Sequence, residues 1–186
     1  MQQTKSRYLA LMVSAVTLFL TSITAIADTA AEIDRDVDNA IQKLYARSSA
    51  AKELSKGAKA ILVFPKIVKG GLIIGGQYGE GALRVDGKTH GYYSSAAASY
   101  GLQAGVQSFG YAMFFMTDGA LAYMKESDGW EVGVGPSIVV VDEGMAGSLT
   151  TTTAKEGIYV FFFDQKGLMA GLGIQGSKIE KIQPEK

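Results

Sequence analysis

All 23 glycines of this 186-residue chain fall at Gly57 or later, and that boundary constrains the fold more than any other feature. Glycine inside a helix costs about 1 kcal/mol relative to alanine. The glycine-dense part therefore argues against helices and for strands, turns and close backbone approach. The stretch Asp28 to Lys56 has neither glycine nor proline. There Ile33, Val37, Ile41, Leu44, Ala51 and Leu54 recur at spacings of three, four or seven, the signature of one apolar helix face. Asp28 or Thr29 serves as N-cap and Gly57 ends the run. Glu32, Asp34, Asp36 and Asp38 near the start, with Lys52 and Lys56 near the end, suit the helix dipole. The pattern predicts one long helix over 28–57, kinked near Ser48-Ser49.

From residue 58 onward short apolar runs alternate with turn signals. Ala60 to Phe64, Gly71 to Tyr78, Leu83 to Asp86, His90 to Ser94, Tyr100 to Gln107, Gly110 to Met116, Glu131 to Val141, Ile158 to Phe163, Leu168 to Ile174 and Lys178 to Ile182 read as strands. Asp86-Gly87 reads as a hairpin turn. Tyr111 to Met116 and Ile158 to Phe163 are too apolar to lie at an edge and call for burial on both faces. Asp118 to Glu126 reads as a short helix. The expectation is one β-rich α+β domain over 28–186: an amphipathic helix, then a glycine-rich antiparallel barrel or sandwich.

The first 27 residues stand apart. Lys5 and Arg7 precede an apolar run from Tyr8 to Leu20, and the segment ends Ala25-Ile26-Ala27. Small residues at those two flanking positions suit a signal peptidase, and Ala25 and Ala27 mark the expected cleavage site. The run is too short to span a bilayer, which takes ~20 residues. The expectation is a cleaved signal peptide over 1–27 and an exported, periplasmic or membrane-surface chain starting at Asp28. The chain has no cysteine, so disulfides, thiolate metal sites and a lipoprotein anchor are excluded. A formal charge of zero argues against nucleic acid as a partner.

Three patterns resemble chemistry and are better read as structure. Ala82 to Thr89 approaches a phosphate-binding loop, but Gly87-Lys88-Thr89 follows Asp86 at a hairpin tip, where no helix N-terminus is available for a nucleotide. Gly171, Gly173 and Gly176 fit a dinucleotide fingerprint with only ten residues remaining, too few for the helix and strand it needs. His90 is the sole histidine and adjoins the turn. No serine elbow frames a nucleophile for it, and one histidine without cysteine makes a poor metal site. The pair Asp142-Glu143 reads as a solvated turn. No catalytic residue, metal ligand or cofactor follows from this sequence, and the expectation is a protein that is not an enzyme. One pattern survives. Lys52, Lys56, Lys59, Lys66 and Lys69 fall close together, opposed only by Glu53 and interleaved with Ile61 to Phe64, Ile67 and Val68. Basic residues beside apolar ones suit an anionic bilayer, and they equally suit a solvated helix end.

The stretch AKAILVFPKIVKGGLIIGGQYGEGAL, from Ala58 to Leu83, resembles the opening of the SYLF domain, also called the Ysc84 or Las17-binding domain. The resemblance continues through GLQAGVQS from Gly101, FMTD from Phe115, Gly133 to Pro136, and GLMAGLGIQG from Gly167. It implies a phospholipid-binding module. Eukaryotic members bind phosphoinositides through the N-terminal region and have actin-related partners. For an exported bacterial-type member the resemblance implies anionic phospholipid binding alone, with Lys66 and Lys69 matching the basic positions of the opening segment. Many bacterial relatives are lipoproteins, and the missing cysteine departs from that. The expected function is therefore non-enzymatic binding to an anionic phospholipid membrane at its periplasmic face. The alternatives are a small outer-membrane β-barrel and an envelope structural or interaction protein.

Overall fold

A computed structural model of the chain describes residues 28–71, 74–100, 105–126, 130–131, 136–141, 149–150, 154, 156–167 and 177–185. The expected signal peptide and its Ala25 and Ala27, the fingerprint glycines Gly171 to Gly176, the Asp142-Glu143 turn and the expected strand Leu168 to Ile174 lie outside the described residues.

The N-terminal region is helical, in two pieces. Helix α1 spans Ala30–Arg47 and α2 spans Ser49–Leu54. Thr29 begins α1 with a reciprocal cap: its hydroxyl accepts from the Glu32 N–H, and the Glu32 carboxylate accepts from the Thr29 N–H. The break falls at Ser48, whose extended backbone (φ −126°, ψ 105°) ends α1 while its hydroxyl caps α2 by accepting from Ala51 N–H. The predicted kink is thus a full break, made by a serine whose side chain competes with the helix for backbone donors.

Among the described residues eight strands follow: β1 (Ala60–Gly71), β2 (Ile74–Val85), β3 (Lys88–Tyr100), β4 (Gly105–Phe115), β5 (Trp130–Glu131), β6 (Ile138–Val140), β7 (Ile158–Gly167) and β8 (Lys178–Ile182). A third helix, α3 (Asp118–Glu126), lies where the sequence placed it. The strands form one sheet in the order β5-β8-β3-β2-β1-β4-β7-β6. All pairs are antiparallel except β6 with β7. The domain is β-rich α+β, but the expected antiparallel barrel or sandwich is corrected to a single open, mixed sheet. Among the described residues its edge strands β5 and β6 are not paired with each other.

The sheet carries an apolar layer on each face. On one face, called here the helix face, Ile33, Val37, Ala40 and Leu44 of α1 and Leu54 of α2 pack on Val63, Ala82, Ala112, Phe114 and Phe161. On the other, the inner face, Leu62, Phe64, Ile67, Tyr111, Met113 and Val160 pack with Ala120 and Met124 of α3. The sheet curls around this inner layer. The Tyr111 hydroxyl on β4 lies 2.8 Å from the Ser95 hydroxyl on β3, although β1 and β2 intervene. The apolar runs Tyr111–Phe115 of β4 and Ile158–Phe161 of β7 are buried on both faces or nearly so, as their continuity requires.

The strands are longer than the sequence suggested because bulges carry them past their interruptions. In β1 one extra residue is accommodated between Phe64 and Ile67, where Pro65 sits. Proline lacks the N–H a regular ladder needs, and a bulge tolerates that. Across from the bulge, β2 presents glycines. A Cβ at Gly81 would lie 2.1 Å from the Val63 carbonyl oxygen, and one at Gly79 would lie 2.4 Å from that of Lys66. The glycine spacing of β2 is the imprint of β1 pressing on it.

Candidate functional site

The five lysines singled out by the sequence do not form one cluster. Lys52 is exposed on α2. Lys56 and Lys59 follow it in the turn leading to β1, because α2 stops at Leu54 and does not run through Gly57. Lys56 pairs with Glu53, and Lys59 lies 3.6 Å from Asp118. Lys66 lies midway along β1 and Lys69 towards its far end. At about 3.3 Å per residue, Lys59 and Lys69 are separated by roughly 30 Å of strand. Lys66 is exposed at the bulge. Lys69 points to the inner face, between Gln77 of β2 and Gln107 of β4, both buried.

The hairpin at Asp86-Gly87 is present, with both residues at positive φ (50° and 75°). Residues 82–89 thus belong to a β-ladder and its turn, with no helix N-terminus to hold a phosphate. Thr89 is used in structure. Arg84, 8% exposed, reaches Thr89, the Asp34 carboxylate at 3.2 Å and the Asp38 carboxylate at 2.7 Å, and Tyr92 donates to Asp34 at 3.0 Å. This network ties α1 to the β2–β3 hairpin. His90 is exposed beside it. A cleft of about 360 Å³ adjoins the network, lined by Tyr45, Ser55, Lys56, Arg84 and Asp86 among others. Among the described residues no three histidine, cysteine or acidic side chains converge as a metal-binding group, and no helix is long and apolar enough to cross a membrane.

The surface that the sequence reading missed is the end of the sheet's helix face that α1 leaves uncovered. Arg47, in the last turn of α1, pairs with Asp164 at 2.5 Å and marks the limit of the helix layer. Beyond it the pairing registers define successive rows of side chains on this face. A first row holds Glu80 and Glu180, with Ser94 between them. The next runs Lys166, Ser108, Val68, Tyr78, Ala96, Lys178 across six strands. The third is Val106, Gly70, Gly76, Ala98, and Ile74 lies beyond that. Val68 (45%), Tyr78 (50%), Val106 (67%) and Ile74 (73%) are exposed. The Tyr78 hydroxyl donates to Glu80 at 2.7 Å. Partial burial and the neighbouring Glu80 push the phenol up to about 12. Lys178 lies 2.5 Å from Glu180, whereas Lys166 has no ion pair among the described residues.

A family model, Ysc84, described as Las17-binding protein actin regulator, matches residues 96–185. Residues 96–185, just under half of the chain, resemble the Ysc84 family. The match takes in the end of β3 and every element from β4 to β8. It includes Val106 and both lysines of the mixed row, Lys166 and Lys178. No curated protein matches the chain. The family description points to a binding module.

Proposed function

We propose that the protein is a non-enzymatic phospholipid-binding module that acts at the periplasmic face of a membrane after export. The observation that carries this reading is the group of exposed large apolar side chains, Val68, Ile74, Tyr78 and Val106, gathered on three neighbouring strands at one end of the sheet. Single exposed apolar residues are ordinary, but a contiguous group marks an interaction surface. Each such side chain contributes roughly 1.5–3 kcal/mol when fully buried, so a few of them support reversible membrane attachment.

The described sheet does not suit the outer-membrane barrel alternative: it is open, and helices cover part of one face and α3 packs on the other. Las17, the partner named in the family description, is not one that a chain exported to the periplasm would meet. Vesicle co-sedimentation tests the reading. The protein should pellet with vesicles of equimolar phosphatidylglycerol and phosphatidylcholine more than with phosphatidylcholine alone. Equal recovery in the supernatant with and without either vesicle would remove the lipid reading.

A further inference from the structure

Within that lipid-binding reading, we infer that the protein docks by the end of its sheet, with Ile74 and Val106 entering the bilayer and Lys166 and Lys178 resting at the headgroups. The order of the rows carries the argument. Moving outward from α1, the helix face changes from acidic (Glu80, Glu180), to apolar with a lysine at either flank (Val68 and Tyr78 between Lys166 and Lys178), to uncharged (Val106, Gly70, Gly76, Ala98), to Ile74. A bilayer presents the matching order from the other side: water, anionic headgroups, interface, hydrocarbon. Lysine and tyrosine favour the headgroup level and aliphatic side chains the level beneath it.

The spacing agrees. Successive rows on one face are two residues apart, about 6.6 Å along a strand. The interfacial zone of one leaflet is about 5–7 Å thick. With the lysine row at the headgroups, Val106 lies one row deeper, at the base of the interface, and Ile74 one row deeper again. Lys166 and Lys178 are five strand spacings apart, about 24 Å measured along the curled sheet, so they flank the apolar rows on either side. The occupant that fits is an anionic lipid bilayer. The lysines α2 and its turn supply have no part in this surface, since Lys56 and Lys59 hold Glu53 and Asp118 at the opposite end of β1.

The chain has no cysteine, so single-cysteine variants take an environment-sensitive fluorophore at one position only. Ile74→Cys, Val106→Cys and Lys56→Cys are each labelled and mixed with equimolar phosphatidylglycerol–phosphatidylcholine vesicles. The labels at positions 74 and 106 should shift to the blue and be quenched by lipid-borne quenchers, and the label at 56 should do neither. Lys166→Gln should weaken partition onto these vesicles about fivefold, the equivalent of ~1 kcal/mol for one lysine near an anionic surface, with an unchanged thermal melt. If the unlabelled protein binds while the labels at 74 and 106 stay in water, another surface makes the contact and the inference fails, though the lipid reading stands. If the unlabelled protein binds no vesicle, both fall. If the labels shift without vesicles and the shift grows with protein concentration, a second copy covers this face and the inference is overturned.

Discussion

Two glycines on one strand should respond to alanine with opposite signs. At Gly81, an added Cβ would sit 2.1 Å from the Val63 carbonyl oxygen and 2.9 Å from the Phe64 ring. Both neighbours are fully buried, and β1 is held between β2 and β4. A carbonyl oxygen fixed in a central ladder cannot swing aside as a side-chain tip can. Relief requires moving β1 by about 1 Å, which also disturbs the packing of Phe64 against Tyr111, whose ring centroid lies 4.9 Å away. Overpacking of this kind costs about 1–3 kcal/mol, and the immobility of the obstacle puts Gly81→Ala near 3 kcal/mol. For a domain of this size 1 kcal/mol shifts Tm by about 2–4 °C, so the melt should fall by roughly 6–12 °C. At Gly76 the nearest atom to a new Cβ is the Ala97 oxygen at 3.7 Å, an ordinary contact. Gly76→Ala removes unfolded-state entropy without strain and should raise stability by about 0.5 kcal/mol. Melting followed by circular dichroism compares the two. Variants that melt within 2 °C of each other would refute the claim that the glycines of β2 exist to admit β1.

Other outcomes follow from the polar contacts. Arg84→Met should destabilise the domain by about 2–3 kcal/mol in urea titration, because Asp34 keeps only Tyr92 and Thr89 as partners while Asp38 rehydrates. The Glu32 carboxylate is held below its ordinary value of 4.5 by the Thr29 N–H and hydroxyl. A depressed acid adds stability above its unfolded value and loses it as pH falls through the folded value. Glu32→Gln should therefore flatten the acid side of the stability–pH curve. Thr29→Ala should cost about 1 kcal/mol at neutral pH, measured by urea titration. Protein recovered from the periplasm should begin at Asp28 by intact mass, and recovery of a chain that keeps Met1 to Ala27 would end the export reading.

Much of the fold was legible because the signals were local. The apolar spacing from Ile33 to Leu54, the Asp86-Gly87 turn and the apolar runs of β4 and β7 each specify an element without reference to the rest. Closure was not legible. The same short runs suit a barrel, a sandwich or an open curled sheet, and the choice depends on pairings such as β8 beside β3, which join residues far apart in sequence. Bulges hid strand length as well, since Pro65 reads as an end and is in fact crossed. The lysines are spread apart for a related reason. Closeness in sequence along an extended strand is distance in space, so Lys59 and Lys69 occupy opposite ends of β1. The lysines that share a row with Val68 and Tyr78 are Lys166 and Lys178, brought there by register alone.

The uncovered sheet end also separates what the fold needs from what binding needs. Ile74 and Val106 are mostly solvated and add little to the core, whereas Ile67 and Phe109, on the inner face of β1 and β4, are fully or almost fully buried. Surface changes away from core contacts usually move stability by less than ~0.5 kcal/mol. Ile74→Thr with Val106→Thr should therefore leave the melt in place, since threonine keeps the branched shape that strands favour. An apolar sheet end is also a liability, because it invites a second copy as readily as a bilayer. The flanking lysines oppose self-association by like charge and favour an anionic surface by unlike charge, so the same two residues choose between the partners. The double threonine variant should be at least as soluble as the parent while losing vesicle binding. A variant that melted early would place Ile74 and Val106 in the core's service instead, and binding would then have to be sought on another face.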